Sequence, residues 1–277
     1  MDISFLSLIF FTIVTIIYFS FPSIGKPHLT LSDLNNDSST YYSKNLYSLG
    51  FYLGVVIFSQ FFLNIGFLTS KCQGSIDQNI STAALYTFIP WLLIFGVLMG
   101  FLIIYPGFKT AFSDVIGYFV VAGSANKIFS SIMLGSDLNE MINKTDDPSK
   151  KDELTKAAEA IIKICGNKSI LINQMNTNNF MEIWDTLKPL MISGSYENQD
   201  LKQQLLDLVI LKDNIGEALW YIYTAILISS IVYYNLETNG CVKTVNQIKA
   251  EQDAYNQQQE QIEKQKQLSD TTYTASS

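Results

Sequence analysis

The chain alternates long apolar stretches with polar connections, and four of the apolar stretches are long enough to cross a bilayer. They are Ile3–Phe21, Leu46–Leu68, Ala84–Tyr105 and Ile215–Leu236. A membrane-spanning helix needs about 20 mostly apolar residues, because the hydrocarbon core is about 30 Å thick. No Lys, Asp or Glu lies near the centre of a stretch, and the one internal acid, Glu217, is at the edge of the last. The pattern predicts an integral membrane protein.

These stretches divide the chain into four regions. Residues 1–106 hold the first three spans, and residues 107–213 form a small membrane-proximal region. Residues 214–237 are the fourth span, and residues 238–277 are a Gln-rich tail. The predicted fold class is all-α: four transmembrane helices with a small helical soluble domain between spans three and four. The first stretch lacks a basic leader and a small-residue cleavage site, so we expect it to be an uncleaved anchor.

Apolar residues recur at helical spacing in three segments of the 107–213 region: Asp152–Cys165, Asn178–Met191 and Asp200–Lys212. They predict three helices, the last continuing directly into the fourth span. The short apolar run Ser169–Ile172 is compatible with a strand. In the tail, we expect a partly helical segment followed by disorder from Ser269.

Val115–Leu134 is apolar in its first half and is then interrupted by Ser124, Asn126 and Lys127. This favours a helix that lies on the membrane or is buried against protein. The alternative is a fifth crossing, which would invert the side of everything downstream.

Alternating crossings assign each connection to a membrane side. We name the side of the amino terminus side A and the other side B, which places residues 23–44 and 107–213 on side B. Lysines near span ends number five on side B and three on side A: Lys26, Lys44, Lys109, Lys127 and Lys212 against Lys71, Lys243 and Lys249. Because cytosolic loops carry an excess of lysine and arginine, this favours side B as the cytosolic side.

Two spans contain glycines four residues apart, Gly50 with Gly54 and Gly96 with Gly100. Such pairs remove side chains from one helix face and let two backbones approach closely. They predict a helix–helix contact within the chain or between copies. The alternative is that glycine is simply common in membrane helices.

The chain has three cysteines, Cys72, Cys165 and Cys241. Cys72 and Cys241 each follow a span closely and share side A, so a disulfide between them is geometrically possible, whereas Cys165 falls on side B. Two unrelated free thiols are the alternative, since the sequence gives no distance.

Composition excludes several kinds of chemistry. The net charge is −7, and all 18 basic residues are lysine. Without a concentrated basic face, nucleic-acid binding is not expected. The single histidine, His28, has no neighbouring metal ligand or catalytic partner, and we interpret it as a solvated loop residue. No catalytic motif is present, so we expect no enzyme activity, no metal and no cofactor.

The polar residues inside the spans are few and uncharged. They are Ser59, Gln60, Asn64, Thr224, Ser229 and Ser230. Coupled carriers usually place ionisable groups at membrane depth. Uncharged polar residues more often bond to a neighbouring helix. An oligomeric pore lined by these residues stays open as an alternative.

One stretch after span three has the character of a motif, running from Tyr105 to Tyr118 as YPGFKTAFSDVIGY. Pro106 and Gly107 end the span, Phe108 and Lys109 fall at interface depth, and Ser113 or Asp114 is placed to cap a new helix. Read physically alone, the stretch is an interfacial turn.

The same stretch resembles a motif in membrane proteins of nucleocytoplasmic large DNA viruses, in which the turn reads Pro-Gly-Trp-Lys, then Pro-Phe-Ser-Asn, then Gly-Tyr. This chain differs by Phe108 for Trp, Ala111 for Pro and Asp114 for Asn. The residues that match are Pro106, Gly107, Lys109, Phe112, Ser113, Gly117 and Tyr118. The resemblance covers about fourteen residues and implies a virion protein of the membrane beneath the capsid, touching minor capsid proteins. It brings no catalytic residues.

The sequence therefore favours a structural multi-span protein whose 107–213 region anchors an internal virion membrane to the capsid. Expected partners are the lipid bilayer and capsid-side or other membrane proteins, with a homo-oligomer as a further option. The expected location is the virion inner membrane, or a host endomembrane during assembly. The alternative function is an oligomeric channel-like or transport protein.

Overall fold

The computed structural model describes residues 3–35, 39–72, 76–133, 168–239 and 245–274, together with Pro148, Asp152 and Cys241. The model is 88% helical, and no strand occurs within these ranges. Ten α-helices are described: α1 (Ile3–Ser20), α2 (Leu31–Asn35), α3 (Ser39–Cys72), α4 (Ile76–Pro90), α5 (Val97–Ile104), α6 (Thr110–Phe112), α7 (Tyr118–Ile132), α8 (Phe180–Leu187), α9 (Gln199–Asn239) and α10 (Val245–Thr274).

Two π-helical turns join neighbouring helices almost without a break. Trp91–Gly96 links α4 to α5, and Ser113–Gly117 links α6 to α7. Pro90 stands at the first of these junctions, where its missing N–H is tolerated by the wider turn. Short 3₁₀ turns cover Pro106–Lys109, Lys168–Gln174 and Lys188–Leu190. Pro106 begins its turn, because its fixed φ suits the first helical position.

Four helical stretches are long and apolar enough to cross a membrane, which confirms the predicted class of an all-α membrane protein. They are Ser39–Cys72, Asn79–Ile104, Pro106–Ile132 and Gln199–Thr238. This set differs from the predicted spans in two ways. The predicted first span corresponds to α1, which has 18 residues and is not among the four stretches. Pro106–Ile132, which was not predicted as a span, is long and apolar enough to be one.

The buried residues fall into two separate hydrophobic cores. The first, which we call the bundle core, contains α1, α3, the continuous helical stretch from α4 to α5, and the second half of α9. Its buried side chains include Phe11, Trp91, Phe95 and Tyr221. The second, the side-B core, joins α7, α8, the 168–174 turn and the first half of α9. Its buried side chains include Phe129, Phe180, Trp184 and Leu205. Among the described helices, only α9 contributes long segments to both cores.

The stretch Pro106–Ile132 runs antiparallel to the first half of α9. Phe112 packs on Trp220, Gly117 lies against Lys212, and Val121 joins the side-B core with Val209. The stretch therefore continues the direction of span three and leaves the bundle alongside α9. One face of the described part of Val115–Leu134, which ends at Met133, is buried against α9 and the side-B core. The same stretch is apolar and long enough to cross a membrane, so both alternatives for it stay predictions.

Several shorter predictions have different outcomes. The segment Asp200–Lys212 and the fourth span are one helix, as predicted, and α8 lies within Asn178–Met191. The suggestion of a strand at Ser169–Ile172 is wrong, because those residues form a 3₁₀ turn. The predicted helix Asp152–Cys165 lies outside the described residues apart from Asp152.

The tail helix α10 reaches Thr274, five residues beyond the predicted start of disorder at Ser269. The segment is rich in Gln, Lys and Glu and contains no Pro or Gly, so helix propensity continues without a stop signal. Every side chain from Gln252 to Lys266 is exposed to solvent.

Candidate functional site at the side-B end of the bundle

A buried carboxylate, Glu217, lies at the centre of a charged cluster where the bundle core ends. Its Oε2 accepts a hydrogen bond from Lys26 Nζ at 2.9 Å and another from Lys109 Nζ at 2.6 Å. Its Oε1 accepts a third from the hydroxyl of Tyr221 at 2.7 Å. Glu217 is only 4% exposed, so all three contacts form away from bulk water. A buried charge is tolerated when it is paired and hydrogen-bonded in this way.

The chain turns sharply to deliver Lys26 to this cluster. After α1 ends, the backbone N–H of Lys26 donates to the carbonyl of Tyr18 at 2.8 Å. Gly25 lies directly on the Tyr18 backbone, where a Cβ has no space. The Lys26 side chain is then enclosed, and burial lowers its pKa although the Glu217 carboxylate opposes this effect. The turn therefore places the Lys26 side chain at the end of the bundle.

Lys109 reaches the same carboxylate from the Tyr105–Tyr118 motif, which lies flat against α9. A Cβ on Gly117 would lie 2.6 Å from the carbonyl oxygen of Lys212. From the other helix, a Cβ on Gly216 would lie 2.7 Å from the Cβ of Ser113. Distances below about 3 Å are not reached by real side chains, so only glycine permits this approach. The two glycines let the motif and α9 meet backbone to backbone.

Other motif residues complete the contact with α9 and the side-B core. Phe112 packs edge-on against Trp220 with ring centroids 5.1 Å apart. The hydroxyls of Tyr118 and Ser169 are 2.9 Å apart. Asp114, one of the departures from the viral motif, accepts from Lys212 Nζ at 2.7 Å. The Lys212 side chain is 1% exposed and that of Asp114 is 28% exposed, so the ammonium is removed from water and the carboxylate is partly accessible.

The helix that leads into the motif is closed off by Pro106 and Gly107. Thr110 Oγ1 donates to the carbonyl of Gly107 at 2.6 Å, and Trp220 Nε1 donates to that of Phe108 at 2.9 Å. These side-chain bonds hold the backbone of the Pro106–Lys109 turn in place. All seven residues that match the viral motif thus lie in the turn or in the contact between it and its neighbours.

An interfacial cavity of about 360 Å³ opens beside the charged cluster. Its polar wall carries both lysines and two carboxylates, and its apolar wall comes from the ends of α3 and α5. The residues that line the cavity include Lys26, Tyr41, Tyr42, Asn45, Ile103, Ile104, Lys109, Asp213 and Glu217. Ile103 and Ile104 are 48% and 69% exposed on the outside of the bundle, so the cavity borders an exposed apolar surface.

Inside the bundle, the polar residues form contacts between helices. Gln60 Nε2 donates to the carbonyl of Ser7 at 3.0 Å, and the hydroxyls of Ser7 and Ser229 are 3.2 Å apart. Asn64 Nδ2 donates to Thr87 Oγ1 at 2.8 Å. These bonds link α3 to α1 and to α4, which is the packing role that uncharged polar groups commonly have in membranes.

The glycine pairs predicted to pack helices are not at close backbone approaches among the described residues. A Cβ on Gly50, Gly54 or Gly100 would meet no described atom within 4 Å, and one on Gly96 would lie 3.9 Å from the Leu53 side chain, an ordinary van der Waals contact. A contact through these pairs between copies of the chain stays a prediction. The close approaches between segments far apart in the sequence are at Gly117 and Gly216, outside any four-residue spacing.

Cys72 and Cys241 are joined by a disulfide, with their Cα atoms 5.4 Å apart. Of the two alternatives from sequence, the structure has the bonded one. The bond ties the end of α3 to the residue that follows α9. Beside it, Lys71 pairs with Glu237 at 3.0 Å.

His28 lies 3.4 Å from Asp207 and is about half exposed, in keeping with a solvated loop position. In the part of the chain that the structure describes, no three His, Cys, Asp or Glu side chains group to hold a metal ion. The site is thus a set of ion pairs beside a cavity.

The position of Glu217 at the edge of a span is evident in the sequence, but its partners are not. Its two lysines are 191 and 108 residues away. One signal was present: Lys26 and Lys109 both belong to the lysines assigned to side B, the side on which Glu217 also lies. An acid at a span end facing lysines at the ends of other spans is a candidate cluster.

Fold and site together define a helical membrane protein with a charged junction between its two hydrophobic cores. No family model, no curated protein and no solved structure matches this chain.

Proposed function

We propose that this protein is a structural membrane anchor that holds its 107–213 region at a fixed position above the bilayer for contact with a protein layer on side B. The observation that carries the proposal is α9, a single helix of 41 residues that belongs to both hydrophobic cores. At about 1.5 Å per residue it is about 60 Å long, roughly twice the hydrocarbon thickness. A shared helix transmits position from one core to the other.

The junction supports the same function. Glu217 with Lys26 and Lys109 fixes the end of the bundle, and Asp114 with Lys212 fixes the next turn of the contact. Buried ion pairs require definite geometry, because an unpaired partner is costly. Together with the glycine contact, they hold the side-B core in one orientation relative to the bundle.

The side-B region also offers an exposed apolar surface. Four apolar residues on one side of the Ser113–Gly117 turn and the start of α7 are exposed: Val115 (59%), Ile116 (44%), Phe119 (82%) and Val120 (59%). Contiguous exposed apolar residues are typical of interaction sites. The resemblance to membrane proteins of nucleocytoplasmic large DNA viruses suggests that the partner is a capsid-side protein, and that the membrane is the inner membrane of the virion or the endomembrane from which it is made.

The oligomeric pore is less well supported. The polar residues that were to line it, Gln60, Asn64 and Ser229, are engaged with neighbouring helices of the same bundle. A pore would have to use other surfaces. Cross-linking distinguishes such a pore from the anchor.

Cross-linking and mass spectrometry of intact source particles or membranes test the proposal, with Lys127 and Lys168 of the side-B region as reporters. We expect links from these lysines to a different protein, and loss of those links in the Phe119→Ser variant. Tyr255→Ser, which removes another exposed aromatic ring on the tail, is the control and should leave them unchanged. Symmetric links between copies alone, with ion flux in proteoliposomes, would replace the anchor by a pore.

A further inference from the structure

The interfacial cavity beside Glu217 has the chemistry of a lipid headgroup site. Its volume of about 360 Å³ exceeds by an order of magnitude the roughly 30 Å³ that one water occupies in the liquid. It lies at the level where the apolar residues of α3 and α5 give way to charged ones. Tyr41 and Tyr42 line it at this boundary, as aromatic residues do at membrane interfaces.

The lysines retain hydrogen-bonding capacity toward the cavity. An ammonium has three N–H donors. Among the described contacts, Lys26 and Lys109 each use one, and both are directed to the same oxygen of Glu217. Their side chains are 11% and 18% exposed, so water access is restricted. An oxyanion with several acceptor oxygens, such as a phosphate diester, satisfies the remaining donors.

The opposite charge is present in the same cavity. Asp213 lines it together with Glu217, so the walls carry two acidic side chains and two lysines. A lining with equal numbers of cationic and acidic groups matches a zwitterion better than an anion.

A buried hydrogen-bond acceptor further restricts which headgroup fits the cavity. Asn45 Oδ1 is buried and, within the described part of the chain, has no hydrogen-bond partner. An orphan buried acceptor costs free energy unless a donor reaches it. A primary ammonium supplies N–H donors, whereas a trimethylammonium supplies none. Tyr41 and Tyr42 add ring faces that attract either cation.

We propose that this cavity binds the headgroup of an aminophospholipid of the ethanolamine type, with the phosphate beside Lys26 and Lys109 and the ammonium beside Asp213 and Asn45. The acyl chains leave over Ile103 and Ile104 toward the bilayer. The inference is independent of the proposed anchoring role, because it depends only on the cavity and its walls.

Thermal unfolding of the delipidated protein in detergent, with one lipid added at a time, tests this site. Phosphatidylethanolamine should raise the unfolding midpoint more than phosphatidylcholine or phosphatidylglycerol, because only it offers both a phosphate and N–H donors. In Asn45→Leu the ethanolamine-specific part of the shift should disappear. Asn235→Leu, on the side-A half of α9, is the matched control and should keep it.

Two further arms make the outcome decisive. Asn45→Asp retains an acceptor and should preserve the preference for phosphatidylethanolamine, even if Asn45→Leu folds poorly. Soluble phosphoethanolamine separates the headgroup from the lipid: a full shift with it alone would assign the site to a free metabolite. Equal shifts for ethanolamine and choline lipids, or an unchanged preference in Asn45→Leu, would overturn the proposal.

The disulfide carries a second, separate inference about orientation. Disulfides form and persist in oxidising compartments and are rare where thiols are kept reduced. Cys72 and Cys241 are bonded at the side-A end of the bundle. We infer that side A faces an oxidising lumen or exterior, and that the 107–213 region faces the reducing side. The lysine excess on side B favours the same orientation.

Protease protection in sealed vesicles tests the orientation directly. With the reducing face outward, added protease should cleave within the 107–213 region and leave an epitope on the tail after Cys241 intact until detergent is added. Digestion of the tail in sealed vesicles, with protection of the 107–213 region, would reverse the assignment.

Discussion

Lys109 and Glu217 are 108 residues apart in the sequence and form an ion pair of 2.6 Å that joins the start of the motif to the middle of α9. Because Lys26 binds the same carboxylate, this pair links three segments of the chain at one point. The junction is consequently the place where single substitutions should have the largest effects.

Replacing Glu217 by Gln should destabilise the protein strongly. The substitution leaves two enclosed ammonium groups without their counter-charge, and removing one partner of a buried pair costs about 3–5 kcal/mol. Denaturant unfolding in detergent measures the loss. Glu237→Gln breaks the Lys71 pair, whose acid is about half exposed, and should cost no more than about 1 kcal/mol. Equal effects of the two variants would show that the cluster is not buried in the folded protein.

Alanine at Gly117 or Gly216 should separate the motif from α9. The added Cβ would lie 2.6 Å from the Lys212 carbonyl in the first case and 2.8 Å from that of Lys109 in the second. Overpacking of this kind costs about 1–3 kcal/mol. The midpoint of thermal unfolding should fall, with hydrogen exchange rising first in the side-B core.

Gly50→Ala and Gly100→Ala are the matched controls, since a Cβ at either position meets nothing within 4 Å. A gain of up to about 1 kcal/mol from helix propensity is expected for them. If they lowered stability as much as Gly117→Ala, the glycine pairs would have a packing role between copies.

Cys72→Ser should remove the tie between α3 and the residue after α9. The bond closes a loop of 169 residues, and native disulfides contribute about 2–5 kcal/mol. Reductant should lower the unfolding midpoint of the natural protein to that of the variant and should leave the variant unchanged. A reductant effect of equal size in Cys72→Ser would place the bond at other cysteines.

The start of α2 should be sensitive to acid. Asp33 accepts hydrogen bonds from the N–H and hydroxyl of Thr30 at 2.9 and 2.6 Å, which lower its pKa below the usual 3.8. Because these bonds favour the ionised form, their stabilisation is present above pH 3.8 and is lost as pH falls through the lower pKa of the folded state. Protection of α2 amides from exchange reports this change.

Asp33→Ala provides the comparison for the same measurement. At neutral pH it should weaken α2 by about 1 kcal/mol, the usual size of a lost cap. At a pH below the titration of Asp33, the natural protein and the variant should converge. A difference that stays constant across the titration would exclude the carboxylate as its cause.

The sequence predicted the membrane class and the positions of the longest helices because hydropathy acts locally. Within α3, the span Leu46–Leu68 was recognised, whereas the helix itself starts at Ser39 because polar residues continue it outside the bilayer. The shared helix α9 was likewise expected, since apolar spacing runs from Asp200 into the fourth span. No local signal distinguishes such a helix from two helices until its neighbours are known.

The junction was less accessible to sequence reasoning. The Tyr105–Tyr118 motif was identified, but the role of its Gly117 and of Gly216 in α9 was not, because each faces a backbone far away in the sequence. Conversely, Gly50 and Gly54 have the spacing typical of a packing face and meet nothing within the chain. Which glycine allows a close approach depends on the tertiary partner.

The continuity of α9 also fixes the rotational phase of the two cores. Each residue of an α-helix advances the chain by about 100°. One residue inserted between Lys212 and Glu217 would therefore turn the buried face of one core toward solvent while the other stayed in place. Seven inserted residues, close to two full turns, would nearly restore the phase and only lengthen the helix. The distance between the cores can thus vary only in steps of whole turns.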